Sequence, residues 1–351
     1  MKQAFVDNTL SVEIRDTEKP TPGKGQLVIR TVVSGTNPKD WKTSQQFMPD
    51  APPSNPGDDI AGFVDEVGEG VEGFEKGDRV AAFHEMLTPG GSYAEYSVAP
   101  AGTTFHLPDS VSFEEAATIP LAAATAAVAL YRTLGLPLPW EPATERGPFI
   151  VYGGATAVGA FGIKLLKAAD VHPIVAVAGR GIPFVESILD ADKGDVVIDY
   201  RKGDDHVVTE LRRAVGSNAT KAFDAVSENG SVTNLGKVLA PGGMIATVLA
   251  DFIRTCREDP GAAREAYASV GNVHTDTASE SRVGATNDDR EFGKAIFKWF
   301  GKALKEGKLS GHPYEVVEGG LHGIAGALKA LAAGEVSAKK LVIRIGDTKS
   351  S

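Results

Sequence analysis

The chain has 351 residues, 36 Lys and Arg against 46 Asp and Glu, a net charge of −10 at pH 7, and a composition that is 42% hydrophobic and 23% charged. That length predicts two domains with a sizeable core, and ordinary globular composition excludes disorder. An acidic chain without basic blocks is a poor ligand for nucleic acid or anionic membrane, and a single cysteine, Cys256, excludes an internal disulfide and every multi-cysteine zinc lobe.

Met1 to Leu10 carries Lys2 and Asp7 without the apolar core of a signal peptide, so a soluble protein of the reducing cytoplasm is expected. Over the first hundred residues, short β-branched runs (Gln26 to Val33, Ile60 to Val67, Arg79 to Phe83) alternate with Gly, Pro and Asp turns. This punctuation predicts a strongly turned β barrel or sandwich. Ser112 and Glu115 form a capping-box pattern ahead of an alanine-rich helix expected over Ala116 to Leu134. The apolar stretch within it, Pro120 to Tyr131, is short for a membrane span and reads as a buried helix.

After a Pro-rich loop, Leu136 to Pro148, strands and helices alternate. Strands are expected at Phe149 to Tyr152, Pro173 to Ala178, Asp195 to Asp199, Ala222 to Val226 and Met244 to Leu249. Helices are expected at Val158 to Ala169, Phe184 to Leu189, Asp205 to Val215 and Val232 to Leu239. Such alternation implies parallel βαβ units and a doubly wound sheet. Phe252 to Gly284 reads as a long irregular loop. Phe292, Ile296, Phe300 and Leu304 then make one buried stripe of a helix, followed by strand, helix and strand at Pro313 to Val317, Leu321 to Ala333 and Lys340 to Ile345. A β-rich front and a returning tail suggest that both chain ends build one domain. The paired acids Asp58-Asp59, Asp204-Asp205 and Asp288-Asp289 read as turns and helix starts.

The strongest chemical signal is Val151-Tyr152-Gly153-Gly154-Ala155-Thr156-Ala157-Val158-Gly159, placed between a strand and a helix. Gly154 and Gly159 have the spacing of the outer glycines of a dinucleotide fingerprint, with Thr156 in the middle position. The first glycine is expected to permit the tight turn, the last to let helix and sheet approach, and Thr156 to add a hydroxyl donor, so that free N–H groups meet a pyrophosphate. At the end of the second strand, where an NAD site carries Asp or Glu, stand Ala178, Gly179, Arg180 and Gly181. A guanidinium there suits a 2′-phosphate, so NADPH is the expected cofactor. The seven histidines show no metal-binding spacing, and no metal is expected.

Asn37-Pro38-Lys39-Asp40, Gly57-Asp58-Asp59-Ile60-Ala61-Gly62, Gly77-Asp78-Arg79-Val80, Gly91 to Tyr96, the glycine turn, Asp199-Tyr200-Arg201 and Gly334 to Arg344 together resemble the medium-chain dehydrogenases/reductases over essentially the whole chain. The resemblance implies a GroES-like β-rich domain built from residues 1–122 and 307–351, and a Rossmann domain over 123–306. Zinc alcohol dehydrogenases of that superfamily carry Cys and His where Asn37 and Asp58 stand here, so the chain resembles the zinc-free branch. Leu134 to Pro139, Tyr152-Gly153-Gly154, Glu291-Phe292-Gly293 and His312 to Gly320 are similar to fungal trans-acting enoyl reductases of polyketide synthesis.

Carried over by position, the resemblance places Lys39, Asp40 and Lys42 along the nicotinamide side, with Thr125 nearby. It places Gly154, Ala155, Thr156, Ala157, Val158 and Gly159 at the pyrophosphate, and Ala178, Gly179 and Arg180 at the 2′-phosphate. Tyr200 falls at the adenosine, Val248 and Leu249 at the nicotinamide ribose, and Ser337 at the pocket edge. Asn37, Lys42 and Thr125 are the candidate hydrogen-bond donors for catalysis. The expected activity is NADPH-dependent reduction of an activated double bond, free or carrier-bound, in a monomer or homodimer. Quinone or aldehyde reduction on the same scaffold, and a non-catalytic NADPH-binding protein, stand as alternatives.

Overall fold

The computed structural model describes residues 1–144, 147–217, 219–249, 263–274 and 287–349. Two compact units are present, one made of Met1–Leu121 with Gly271–Ser351 and the other of Ala122–Val270. The sequence places the later boundary at 306; in the structure the helix that precedes 306 counts with the first unit, because its aromatic stripe packs on Phe105.

The first unit begins with a hairpin, β1 (Lys2–Val6) and β2 (Val12–Asp16), for which the sequence pattern gives no strong signal. Next come β3 (Gln26–Gly35), α1 (Pro38–Lys42), β4 (Asp59–Val67), β5 (Arg79–Phe83), β6 (Tyr96–Pro100), β7 (Thr104–His106) and α2 (Phe113–Ala116). β3 is the spine of this sheet: it is β-branched, mostly buried, and paired antiparallel with both β4 and β6. Leu27, Ile29, Ile60, Val64 and Val80 close a core beneath it, each worth about 1.5–3 kcal/mol when fully buried.

Ser112 caps α2 by accepting the Glu115 N–H at 3.1 Å. The single helix expected over Ala116 to Leu134 is broken: α2 ends at Ala116, a turn follows, and α3 (Pro120–Ala127) begins on Pro120. Proline cannot donate back into a preceding helical turn and its ring collides with the carbonyl four residues earlier, so it opens a new helix. Val128–Thr133 continues as a π-helical turn. Phe113–Thr133 is long and apolar enough to cross a bilayer, yet 83% of that apolar window is buried inside the protein, as in a core helix.

The second unit continues through β8 (Phe149–Tyr152), α4 (Ala157–Ala168), β9 (Ile174–Ala178), α5 (Ile182–Ile188), β10 (Val196–Asp199), α6 (Asp204–Val215), β11 (Lys221–Asp224), α7 (Ser231–Gly236), β12 (Met244–Thr247) and β13 (Arg264–Tyr267). Its six strands are parallel in the order β10-β9-β8-β11-β12-β13, so the order reverses between β8 and β11. That is the doubly wound Rossmann order, whose ligand crevice opens at the switch point. The expected unstructured loop from Phe252 to Gly284 is corrected within its described part: β13 pairs with β12, and Val270–His274 is a 3-10 turn. The rest of that loop, and Cys256 with it, lies outside the described residues.

The tail returns to the first unit as α8 (Asn287–Lys305), β14 (Tyr314–Val317), α9 (Ile324–Ala332) and β15 (Lys340–Arg344). β15 lies antiparallel to β3 and parallel to β14, which completes a sheet ordered β14-β15-β3-β4-β5-β7 with β6 also on β3. The GroES-like and Rossmann architectures are therefore both present.

Candidate active site

The glycine turn joins β8 to α4 at the switch point of the Rossmann sheet. The positive φ falls on Gly153, at +83°, rather than on Gly154. Gly154 instead lies against Ala176 and Ile163, so its missing side chain serves packing. At Gly159 a Cβ would come under 3.0 Å from the Gly153 carbonyl, which fixes glycine where α4 crosses the turn. Thr156 is the N-cap of α4. Its hydroxyl accepts the Gly159 N–H and donates to the Gly153 carbonyl, each at 2.9 Å. The hydroxyl thus holds the turn in shape, while the N–H groups of Ala157 and Val158 in the first helical turn lack an intrahelical acceptor. This donor set fits a pyrophosphate. Thr156→Val is expected to cost about 1 kcal/mol of stability, the usual worth of an N-cap, and to weaken dinucleotide binding; a thermal melt and a titration check both.

At the end of β9, Gly179 is overlain by the Tyr200 ring, whose hydroxyl and ring carbons stand 2.6–2.7 Å from where a Cβ would be. Tyr200 keeps 47% of its surface exposed, and Arg180, the residue after Gly179, is exposed as well. The β9–β10 register sets Asp199 opposite Ala178. Arg201 clamps that carboxylate through both oxygens, Nε to Oδ1 at 2.8 Å and Nη2 to Oδ2 at 2.7 Å, which lowers its pKa to about 2. The one acid at this strand end is therefore paired with a cation. Gly179 and Tyr200 are brought into contact, and Ala178 and Arg180 flank Gly179 in the chain.

Beyond the switch point, Asp224 ends β11, and burial holds its pKa above the usual carboxylate range. It accepts the N–H groups of Val226 and Ser227 and the Ser231 hydroxyl. Ser227, at φ +56°, accepts the Val248 N–H at 2.9 Å. Val248 is thus tied to the loop after β11, and Leu249 follows it. Thr125 is buried in α3 of this same unit.

In the first unit, Asn37 precedes α1 and is buried in a closed hydrogen-bonded triangle. Its amide donates to Asp59 Oδ2 at 2.7 Å, and Lys340 Nζ donates to Asn37 Oδ1 at 2.9 Å and to Asp59 Oδ2 at 2.5 Å. The other Asp59 oxygen accepts the Leu121 N–H at 2.7 Å. A second cluster lies alongside. Lys39 Nζ reaches Asp58, the Pro56 carbonyl, and Asp40 at 3.0 Å, and Asp40 also accepts the Tyr93 hydroxyl at 2.6 Å and the Asn37 N–H at 2.8 Å. Burial, with Asp58 nearby, pushes Asp40 up to about 6 against the pull of Lys39 and Tyr93, and Asp58 is likewise raised by burial. Lys42 is buried with its ammonium 5.1 Å from the Trp41 ring. Ser337 is partly buried three residues before Lys340.

Asp58 and Asp59 are thus neither turn residues nor helix starts: both are buried, and Asp59 opens β4. Lys340, Asp59 and Tyr93 are the polar residues that sequence reasoning missed. One signal was available, a lysine heading the apolar run Lys340-Leu341-Val342-Ile343. Among the described residues, no group of three or more His, Cys, Asp and Glu side chains is arranged to hold a metal.

Residues 23–109 match the alcohol dehydrogenase GroES-like domain family. The trans-enoyl reductase fsr4 of Gibberella fujikuroi is 41% identical, covering 92% of this chain and 92% of its own length. The chain belongs to the trans-enoyl reductase family. A second relative, trans-enoyl reductase resD of Aspergillus sclerotiorum, is 32% identical over 95% of this chain and 96% of its own. An alcohol dehydrogenase superfamily protein of Novosphingobium aromaticivorans shares the fold, with a TM-score of 0.77, 21% identity, and coverage of 98% of this chain and 99% of that one. This trans-enoyl reductase family member is accordingly an oxidoreductase on the medium-chain dehydrogenase/reductase scaffold, as its motifs suggested.

Proposed function

We propose that this cytoplasmic enzyme reduces the activated double bond of an enoyl substrate, free or carrier-bound, with NADPH and without zinc. The observation that carries the cofactor assignment is the exposed Arg180 next to Gly179, the residue that the Tyr200 ring overlies at the end of β9, with Asp199 neutralised by Arg201. A 2′-phosphate there meets a guanidinium and no unpaired carboxylate among the described residues. The substrate class rests on the family relatives, which are named trans-enoyl reductases.

The chemistry that NADPH supplies when bound is hydride donation to the β-carbon of an α,β-unsaturated carbonyl. Negative charge then develops on the carbonyl oxygen and calls for a positioned donor. Lys42 is such a donor: a buried ammonium is poorly solvated, and its charge acts over a longer range than in water. Thr125 is assigned a second hydrogen bond. Asn37 is assigned a positioning role, since its amide is tied to Asp59 and Lys340. Lys39, Asp40 and Ser337 are assigned to the shape of the nicotinamide side.

Steady-state NADPH oxidation with an enoyl thioester, an enone, a quinone and an aldehyde tests the reading; the thioester or enone is expected to give the highest kcat/KM. Faster turnover of the quinone or the aldehyde moves the enzyme to that class, and no turnover beside a clear NADPH thermal shift makes it a binding protein. Arg180→Ala is expected to raise KM for NADPH about 10-fold or more, the worth of a charge-assisted hydrogen bond, and to leave KM for NADH nearly unchanged. Lys42→Met is expected to lower kcat/KM about 100-fold, typical of a lost proton donor; an unchanged value removes Lys42 from the chemistry.

A further inference from the structure

α8 buries Ile296, Phe297, Phe300 and Leu304 in the first unit and turns Lys294, Lys298, Lys302 and Lys305 outward. At 100° per residue these four lysines fall within an arc of about 80°, and at 1.5 Å per residue they extend about 16 Å along the axis. All four line one groove of about 880 Å³, whose other wall carries Phe74, His106, Leu107 and Pro108. Phe74 and His106 stack at 4.6 Å with an interplanar angle of 12°. Lys294 pairs with Glu291 within α8 and Lys302 lies 3.8 Å from Glu306 just past its end, both pairs exposed, and Glu72 and Asp109 stand on the opposite rim.

Exposed pairs of this kind hold a lysine only weakly. Lys298 and Lys305 face the groove with no carboxylate partner among the described residues. A single-sign row of cations on a chain of net charge −10 runs against its own bulk electrostatics. Its repeat of four residues matches carboxylates repeating at i, i+4 and i+8 on a partner helix of about three turns. The wall at Phe74 and Pro108 supplies apolar surface for the flank of such a helix.

We propose that this groove docks an acidic amphipathic helix of a protein partner, a role beyond reduction itself. Complementary charge of this kind steers encounter and fixes register, and it weakens with salt. The test uses a fluorescein-labelled 18-residue peptide with Glu at i, i+4 and i+8 on one face and Leu on the other. Controls are a peptide of the same composition with its Glu residues dispersed around the helix, and a single-stranded DNA oligomer. Anisotropy at 50 mM NaCl should show binding of the patterned peptide that falls at 300 mM NaCl. Lys298→Glu with Lys302→Glu should weaken it at least 10-fold, and Lys298→Ala with Lys302→Ala should weaken it less. Both variants alter exposed residues, so an unchanged melt and an unchanged NADPH thermal shift confirm the fold. The proposal is overturned if the reversed-charge variant binds as well as the parent, if the dispersed peptide binds as tightly as the patterned one, or if the oligomer binds more tightly than either.

Discussion

Replacing Lys39 by Met lowers the thermal midpoint by about 6–12 °C at pH 8, and by less at pH 5. Lys39 is the cation between two buried carboxylates, Asp40 and Asp58. Removing one partner of a buried ion pair costs about 3 kcal/mol at the low end of the usual range, which suits a lysine side chain that is 22% exposed. At about 2–4 °C per kcal/mol for a chain of this size, that gives the stated shift. The sign with pH follows from Asp40, which stands at about 6 in the folded chain against 3.8 ordinarily. Between those values the folded state keeps a proton that the unfolded state has lost, so stability falls as pH rises through that window. Without Lys39 both carboxyls rise further, so the penalty grows with pH up to and beyond 6. Melts of parent and variant at pH 5 and pH 8 decide it, and a deficit equal at both, or larger at pH 5, refutes the arrangement.

Gly159→Ala is expected to weaken NADPH binding about 100-fold. The added methyl would be driven under 3.0 Å from the Gly153 carbonyl, a backbone atom that moves only if the turn moves. Moving the turn misaligns the Ala157 and Val158 N–H groups. Hydrogen bonds to a charged group are worth about 1.5–3 kcal/mol each, and each 1.4 kcal/mol is tenfold in affinity. Gly326→Ala is the matched control, because its Cβ would meet nothing within 4 Å; it is expected to leave the affinity unchanged. Isothermal titration with NADPH reads both, and a Gly159→Ala protein that binds within threefold of the parent removes the close approach from the account of the site.

Where local pattern determines structure, the sequence was legible. The β3, β5 and β8 runs, the βα alternation and the stripe on α8 appear as periodicity and punctuation, because each reflects the burial of neighbours in the chain. The hairpin of β1 and β2 was not legible. Its strands are short, and only Ala4 and Val6 of β1 are deeply buried. The two-piece helix was legible in principle at Pro120, but the alanine composition around it favoured continuity. The spacing located the glycine turn between strand and helix, while the choice of Gly153 for the positive φ depends on how β8 enters the turn. In the same way Thr156 is visible in the sequence as a hydroxyl, but only the helix start shows that its hydroxyl is consumed in capping.

Composition, the lone Cys256 and the residues at positions 37, 58, 154, 159 and 180 were enough, in the sequence alone, to carry the resemblance to the superfamily's zinc-free branch and the expectation of a dinucleotide at the glycine turn. Those features are local, or are fixed by residue type, so one dimension records them. What Asn37, Asp58 and Asp59 pair with was decided only by the tertiary structure. Lys340 stands 303 residues from Asn37 and Tyr93 stands 53 from Asp40, and no periodicity in the chain links groups so far apart. Lys340 and Asn37 meet because β15 returns to pair with β3. Once buried there, ions must find partners across the fold, since leaving them unpaired away from water costs more than any local preference supplies.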